Sequence, residues 1–85
     1  MSKGRSACWN YRVVQKPGEG FFICEVYYRQ DRETVFHFSQ NPVLPFGTSV
    51  DALRDDYSMM LQALGLPVLQ YEDLLKACGR LKVAQ

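Results

Sequence analysis

Cys24 and His37 lie in successive apolar stretches of the chain, and a thiol beside an imidazole is the pairing that makes a nucleophile and its base. Side chains alternate across a strand, and in the register argued below these two point to opposite faces, so Cys24 reads as a buried structural cysteine. Arg12, Glu25 and His37 form a second set, a row across three strands with Tyr27 beside it, in which His37 would titrate near neutrality. Acid and base catalysis needs a concave, desolvated pocket, and an open sheet face is flat. Arg12, Glu25, Tyr27 and His37 therefore read as a partner-contact surface, and no residue is assigned as catalytic.

Asp51, Asp55 and Asp56 could hold Mg²⁺, but they stand near a helix start, where carboxylates favour the positive end of the helix dipole. Lys76, Arg80 and Lys82 make a basic C-terminal segment, to which Lys3 and Arg5 add, and they carry the alternative reading of weak nucleic-acid binding. That reading wants exposed aromatic side chains nearby for base stacking. Cys8, Cys24 and Cys78 have no paired spacing, and one histidine cannot complete a zinc set with them, so no metal and no cofactor is expected.

Composition narrows the classes further. The 85 residues carry 10 Lys and Arg against 9 Asp and Glu, a formal charge of +1, whereas a nucleic-acid-binding domain is usually clearly basic. A hydrophobic share of 47 % with 22 % charged is that of a globular chain, expected to be one domain burying about 60–65 % of its unfolded surface. There is no apolar run of membrane-spanning or signal-peptide length, and the expectation is a cytoplasmic protein.

The elements that must position these residues are readable from periodicity. Residues 1–7 read as a disordered terminus. Residues 8–39 read as a three-stranded sheet: CWNYRVVQK, FFICEVYYR and ETVFHFS alternate or are rich in β-branched and aromatic side chains, and turn-forming stretches at 17–20 and 30–32 separate them. Four loop residues in the first turn would pair Lys16 with Phe21, Val13 with Cys24, Tyr11 with Val26 and Trp9 with Tyr28, and set Arg12 opposite Glu25 as a cross-strand charge pair. A three-residue second loop would pair Arg29 with Glu33 and put Phe36 and Phe38 on the same apolar face. That face, from Trp9, Tyr11 and Val13 through Cys24 and Val26 to Phe38, calls for a helical cover.

The cover is residues 48–64. Apolar side chains fall there at Val50, Leu53, Tyr57, Met60, Leu61 and Leu64, a spacing of one helical face. Thr48 or Ser49 caps its start, while Gly65 in a left-handed conformation and then Pro67 mark its end. Residues 66–70 read as a short extended segment and residues 71–78 as a short helix with Leu74, Leu75 and Cys78 inward and Gly79 as its stop. The fold class is α+β: a three-stranded antiparallel meander with one main helix on one face and a short C-terminal helix.

With Gly47-Thr48-Ser49-Val50-Asp51-Ala52-Leu53 at the head of that helix, the chain resembles the partial RNase H-like domain of HicB-type antitoxins, or else a small uncharacterised bacterial or phage protein. The resemblance spans residues 9–64 by pattern. It departs where Asn41-Pro42-Val43-Leu44-Pro45 stands in place of that family's proline, aspartate, proline, glycine run, and the chain after Gly65 is too short for an appended DNA-binding domain. No functional residue transfers through it. The resemblance implies an antitoxin-like or regulatory role, and the residues imply a small non-catalytic module that contacts a protein partner, or a second copy, through its open sheet face or an edge strand.

Overall fold

The computed structural model describes residues 8–83, and the side chains of residues 8–78. The expected disordered terminus at 1–7 lies outside the described residues. The chain is α+β, with strands β1 (Cys8–Lys16), β2 (Gly20–Tyr28) and β3 (Val35–Phe38), helix α1 (Val50–Ala63), strand β4 (Leu69–Gln70) and helix α2 (Tyr71–Val83). The expected meander is part of a four-stranded mixed sheet of order β3-β2-β1-β4, in which β4 runs parallel to β1.

The first hairpin turns one residue tighter than the sequence reading has it. Pro17 and Gly18 occupy the central positions of a turn closed by Glu19 N–H donating to the Lys16 carbonyl at 3.0 Å, and Gly18 supplies the positive φ of 83° that such a Pro-Gly turn requires. Lys16 therefore pairs with Gly20, not Phe21, and the rest follows: Arg12 faces Cys24, Tyr11 faces Glu25 and Trp9 faces Tyr27. A slip of one residue exchanges the faces of one strand relative to the other. The row Arg12, Glu25, His37 is thereby broken, and Trp9, Tyr11 and Val13 leave the face that holds Cys24, Val26 and Phe38.

The second hairpin is shaped by Asp31. Its carboxylate accepts from the Glu33 and Thr34 backbone N–H groups, both at 2.9 Å, and from the Thr34 hydroxyl at 2.5 Å. Those bonds hold Glu33 and Thr34 in the turn, so β3 starts at Val35 and the Arg29–Glu33 pairing does not form. His37 pairs with Tyr27 and Val35 with Tyr28, which makes Phe36 the extra residue of a β-bulge and turns it outward, while Phe38 stays inward opposite Val26.

Each face of the sheet has its own helix. Val14, Cys24, Val26 and Phe38 form the main core with Leu74 of α2, and Tyr71 and Cys78 pack against it. Tyr11 and Val13 form a second core with Met60 and Ala63 of α1. The helix that covers the Cys24 and Val26 face is thus the C-terminal one, a correction to the sequence reading whose cause is the hairpin register. Each fully buried Val, Leu or Phe contributes roughly 1.5–3 kcal/mol to holding these layers together.

The start of α1 is capped by one of the two expected residues, and the helix ends differ from the expectation at their C-terminal sides. Ser49 is the N-cap, accepting from the Ala52 N–H at 3.1 Å. Gly65 is not left-handed; α1 ends in tight turns, with Gly65 N–H donating to Gln62 O and Leu66 N–H to Ala63 O, before Pro67. Gly79 does not stop α2, which continues to Val83, and Leu75 points outward rather than inward. Gly47 is required by space, since a Cβ there would collide with the backbone of Ala52 and Leu53 in the first turn of α1.

Two measurements check this account. Gly47→Ala is expected to lower unfolding stability by about 2 kcal/mol in denaturant titration, the scale of overpacking against backbone. The Thr34 hydroxyl first, then the Thr34 and Glu33 N–H groups, hold the Asp31 carboxyl at about 2, below its unfolded range. A depressed folded value contributes stability above pH 4 that is lost as pH falls towards 2, so NMR titration should show Asp31 as the last carboxylate to take up a proton as pH falls, and Thr34→Val should move its pKa back up.

Candidate interaction surface

Arg12 is taken out of the expected surface by the register. It lies on the α2 face, where Nη2 donates to the Pro67 carbonyl at 2.7 Å and Nη1 to the Tyr28 hydroxyl at 3.2 Å, while the Tyr28 hydroxyl donates to Asn10 Oδ1 at 2.8 Å. These bonds tie the segment before β4 to the sheet beyond the short β1–β4 ladder, which covers only Val14 and Gln15 of β1. A groove of about 660 Å³ beside it is lined by Arg12, Tyr28, Glu33, Asp73 and the aliphatic groups of Leu69 and Leu74. Arg12 Nε is left there without a partner.

Glu25, Tyr27 and His37 do share a face, the one that α1 partly covers. The Tyr27 hydroxyl donates to Glu25 Oε1 at 2.8 Å, and that bond, with burial and the carboxylate charge after it, raises the tyrosine's pKa. The Tyr27 ring lies 5.4 Å from His37, 6.1 Å from Trp9 and 6.5 Å from Phe36, centroid to centroid. Arg29 stands over the Phe36 ring at 5.8 Å, within cation–π range. The sequence reading missed Trp9 and Phe36 here because it assigned both to the core.

Cys24 is fully buried on the opposite face from exposed His37. Burial, and after it the charge of Glu25, pushes its thiol up to about 11, against a lowering hydrogen bond from Ser39, so it is a poor nucleophile near neutrality. Among the described residues no three His, Cys, Asp or Glu side chains gather to hold a metal ion, and no helix is long and apolar enough to cross a membrane. Lys76 is exposed on α2; the side chains of Arg80 and Lys82 lie outside the described residues.

Asp51 pairs with Arg54 in the exposed first turn at 2.7 Å, whereas Asp56 has a structural task that the dipole reading did not foresee. Asp56 Oδ1 accepts from the Tyr11 hydroxyl at 2.5 Å and Oδ2 from the Phe46 N–H at 2.8 Å. One carboxylate thus joins β1, α1 and the segment leading into α1, and it sets the rotation of the helix. Ala52, Asp56, Met60 and Ala63 turn towards the sheet, with Met60 and Ala63 buried.

At 3.6 residues per turn, the stripe read from the sequence lies roughly 90° around the helix from that contact line. Of its six members only Met60 is buried; Val50, Leu53, Tyr57, Leu61 and Leu64 are between 37 % and 70 % exposed. Phe21 and Phe46 are also exposed, and Phe21 lies beside Tyr57 and Leu64. Phe21, Tyr57 and Leu64 line one apolar groove of about 450 Å³ with Val13, Ile23 and Pro42, while Phe46 is held beside α1 by its bond to Asp56. An apolar patch of this extent is unusual on a monomeric surface.

The Asp56 node can be tested through Tyr11. Burial, then the bond to Asp56 and that carboxylate's charge, hold the Tyr11 hydroxyl well above the ordinary value of about 10. A raised folded value contributes stability that is present below pH 10 and lost as pH rises beyond it, so Tyr11 should be the last tyrosine to ionise in alkaline spectrophotometric titration. Tyr11→Phe is expected to cost about 1 kcal/mol, and Asp56→Ala, which strands two donors, about 2 kcal/mol.

Comparison of the chain with protein-family models, with curated proteins and with solved structures gives no match to any of them.

Proposed function

We propose that the chain is a small non-catalytic protein-interaction module whose contact surface is the outward stripe of α1 together with Phe21 and Phe46. The observation that carries this reading is the exposure of Val50, Leu53, Tyr57, Leu61 and Leu64, five large apolar side chains on one line of a well-capped helix. Covering them would remove apolar area from water at about 25 cal/mol per Å², a driving force the isolated chain leaves unused. The aromatic set of Trp9, Tyr27, Phe36 and His37 extends the same side of the sheet and retains part of the open-face reading. The edge-strand variant of this function rests on residues 8–13 of β1, which the β4 ladder does not reach.

An antitoxin-like or regulatory role belongs to this proposal. It is supported by the order of three strands and a helix, and by a start of α1 in which Gly47 packs against the first turn and Ser49 caps it. A cytoplasmic, soluble existence is proposed with it. Nucleic-acid binding is less favoured, because the aromatic set lies on the face opposite α2, which bears Lys76.

Tagged chain should retain a nuclease-resistant protein at stoichiometric amounts from a host lysate. Leu53→Glu and Leu61→Glu, both at exposed positions and checked for native circular dichroism, should each reduce retention at least about 10-fold, the effect of burying one unpaired charge at a contact. The proposal fails if both variants retain as much as the parent, or if the retained material is nucleic acid lost on Lys76→Glu substitution.

A further inference from the structure

We infer that the occupant of the α1 surface is a second copy of this chain, docked so that the two α1 helices pack antiparallel about a two-fold axis at Tyr57. The inference rests on the interaction reading above and names its partner. Its first support is the spacing of the exposed stripe. Val50, Leu53, Tyr57, Leu61 and Leu64 stand at −7, −4, 0, +4 and +7 relative to Tyr57, a pattern that reads the same in both directions. Two antiparallel helices related by a two-fold axis bring position +k of one opposite −k of the other. Leu53 then meets Leu61, Val50 meets Leu64, and Tyr57 meets its own copy. This spacing is that of any one-sided helical stripe, so it makes the two-fold pairing geometrically possible.

Charge is the second support. Every charged side chain of α1, namely Asp51, Arg54, Asp55 and Asp56, lies before Tyr57, and the helix from Tyr57 to Leu64 carries none. The antiparallel arrangement sets the charged half of one helix beside the uncharged half of the other, so no carboxylate meets a carboxylate. A parallel pairing would set Asp51, Asp55 and Asp56 beside their own copies, and like charges at close quarters are disfavoured.

Area is the third. Aromatic side chains bury on the order of 150–250 Å² each and aliphatic ones somewhat less, so the exposed parts of the five stripe residues with Phe21 and Phe46 amount to roughly 800 Å². This is the scale of about 800 Å² per partner that a stable protein interface of standard size buries.

The test uses the purified full chain in sedimentation equilibrium. At about 50 μM the parent should sediment at twice the 9.8 kDa chain mass. Leu53→Lys alone and Leu61→Glu alone should weaken association at least about 100-fold, and an equimolar mixture of the two should recover the dimer. In the mixed dimer the lysine introduced at position 53 of one chain meets the glutamate introduced at position 61 of the other, while the unchanged Leu61 and Leu53 meet as in the parent. Met59→Lys, on the other side of the helix, should leave the dimer intact. A monomeric parent, or single variants that mix without recovery, overturns the inference. The interaction reading survives that result if the same two variants still abolish retention of a different protein, and it falls with the inference if they do not.

Discussion

The pairing of β1 with β2 begins at Lys16 and Gly20, and because side chains alternate along a strand, that starting point fixes the side of the sheet on which every later residue of the hairpin lies. It sends Val14, Cys24 and Val26 to one face and Tyr11, Val13 and Ile23 to the other. Each set is large enough to need a cover. The sheet therefore lies between two helices, with α2 on the first set and α1 on the second. A start one residue later would have merged the aromatic residues of β1 with the Cys24 and Val26 face and left a single, heavier core.

Within that frame Asp56 decides what the molecule shows to its surroundings. A carboxylate that accepts from both the Tyr11 hydroxyl and the Phe46 N–H can do so in only one rotation of α1. In that rotation small or polar residues, Ala52, Asp56 and Ala63, occupy much of the contact line, with Met60 the one large apolar side chain on it. A helix seated through small residues approaches the sheet closely and leaves its large apolar residues on its flank. The exposed stripe is thus a consequence of how α1 is anchored, and the anchor and the surface are two sides of one helix.

The same anchoring organises the polar groups. Arg12, displaced to the α2 face, joins the Pro67 carbonyl to the Tyr28 hydroxyl and substitutes for ladder bonds that the two-residue β4 cannot make. Glu25 and Tyr27 bond to each other, and the Tyr27 ring lies among Trp9, Phe36 and His37. The charged and aromatic residues that first suggest chemistry are engaged in holding strands and loops in place, and Cys24 is sealed in the core. Much of what remains outward on α1 is apolar surface.

Much of this was legible in the residues themselves. The three strands, the Ser49 cap, the long helix and the second helix all follow from periodicity and from turn and cap residues, because those signals act within a few positions along the chain. The opposition of Cys24 and His37 holds although the Arg29–Glu33 pairing does not form, because His37 pairs with Tyr27, two residues from Glu25, and a shift of two residues keeps the face. The turn carried a local signal that a reading of four loop residues passes over: Pro17-Gly18 favours a tight turn closed at Glu19, which leaves Gly20 in the strand. The outward direction of the stripe was not legible, since an apolar line on a helix says that burial is favourable without saying against what. It was decided by a tertiary contact between residues distant in sequence, Tyr11 with Asp56, whose geometry no local spacing encodes.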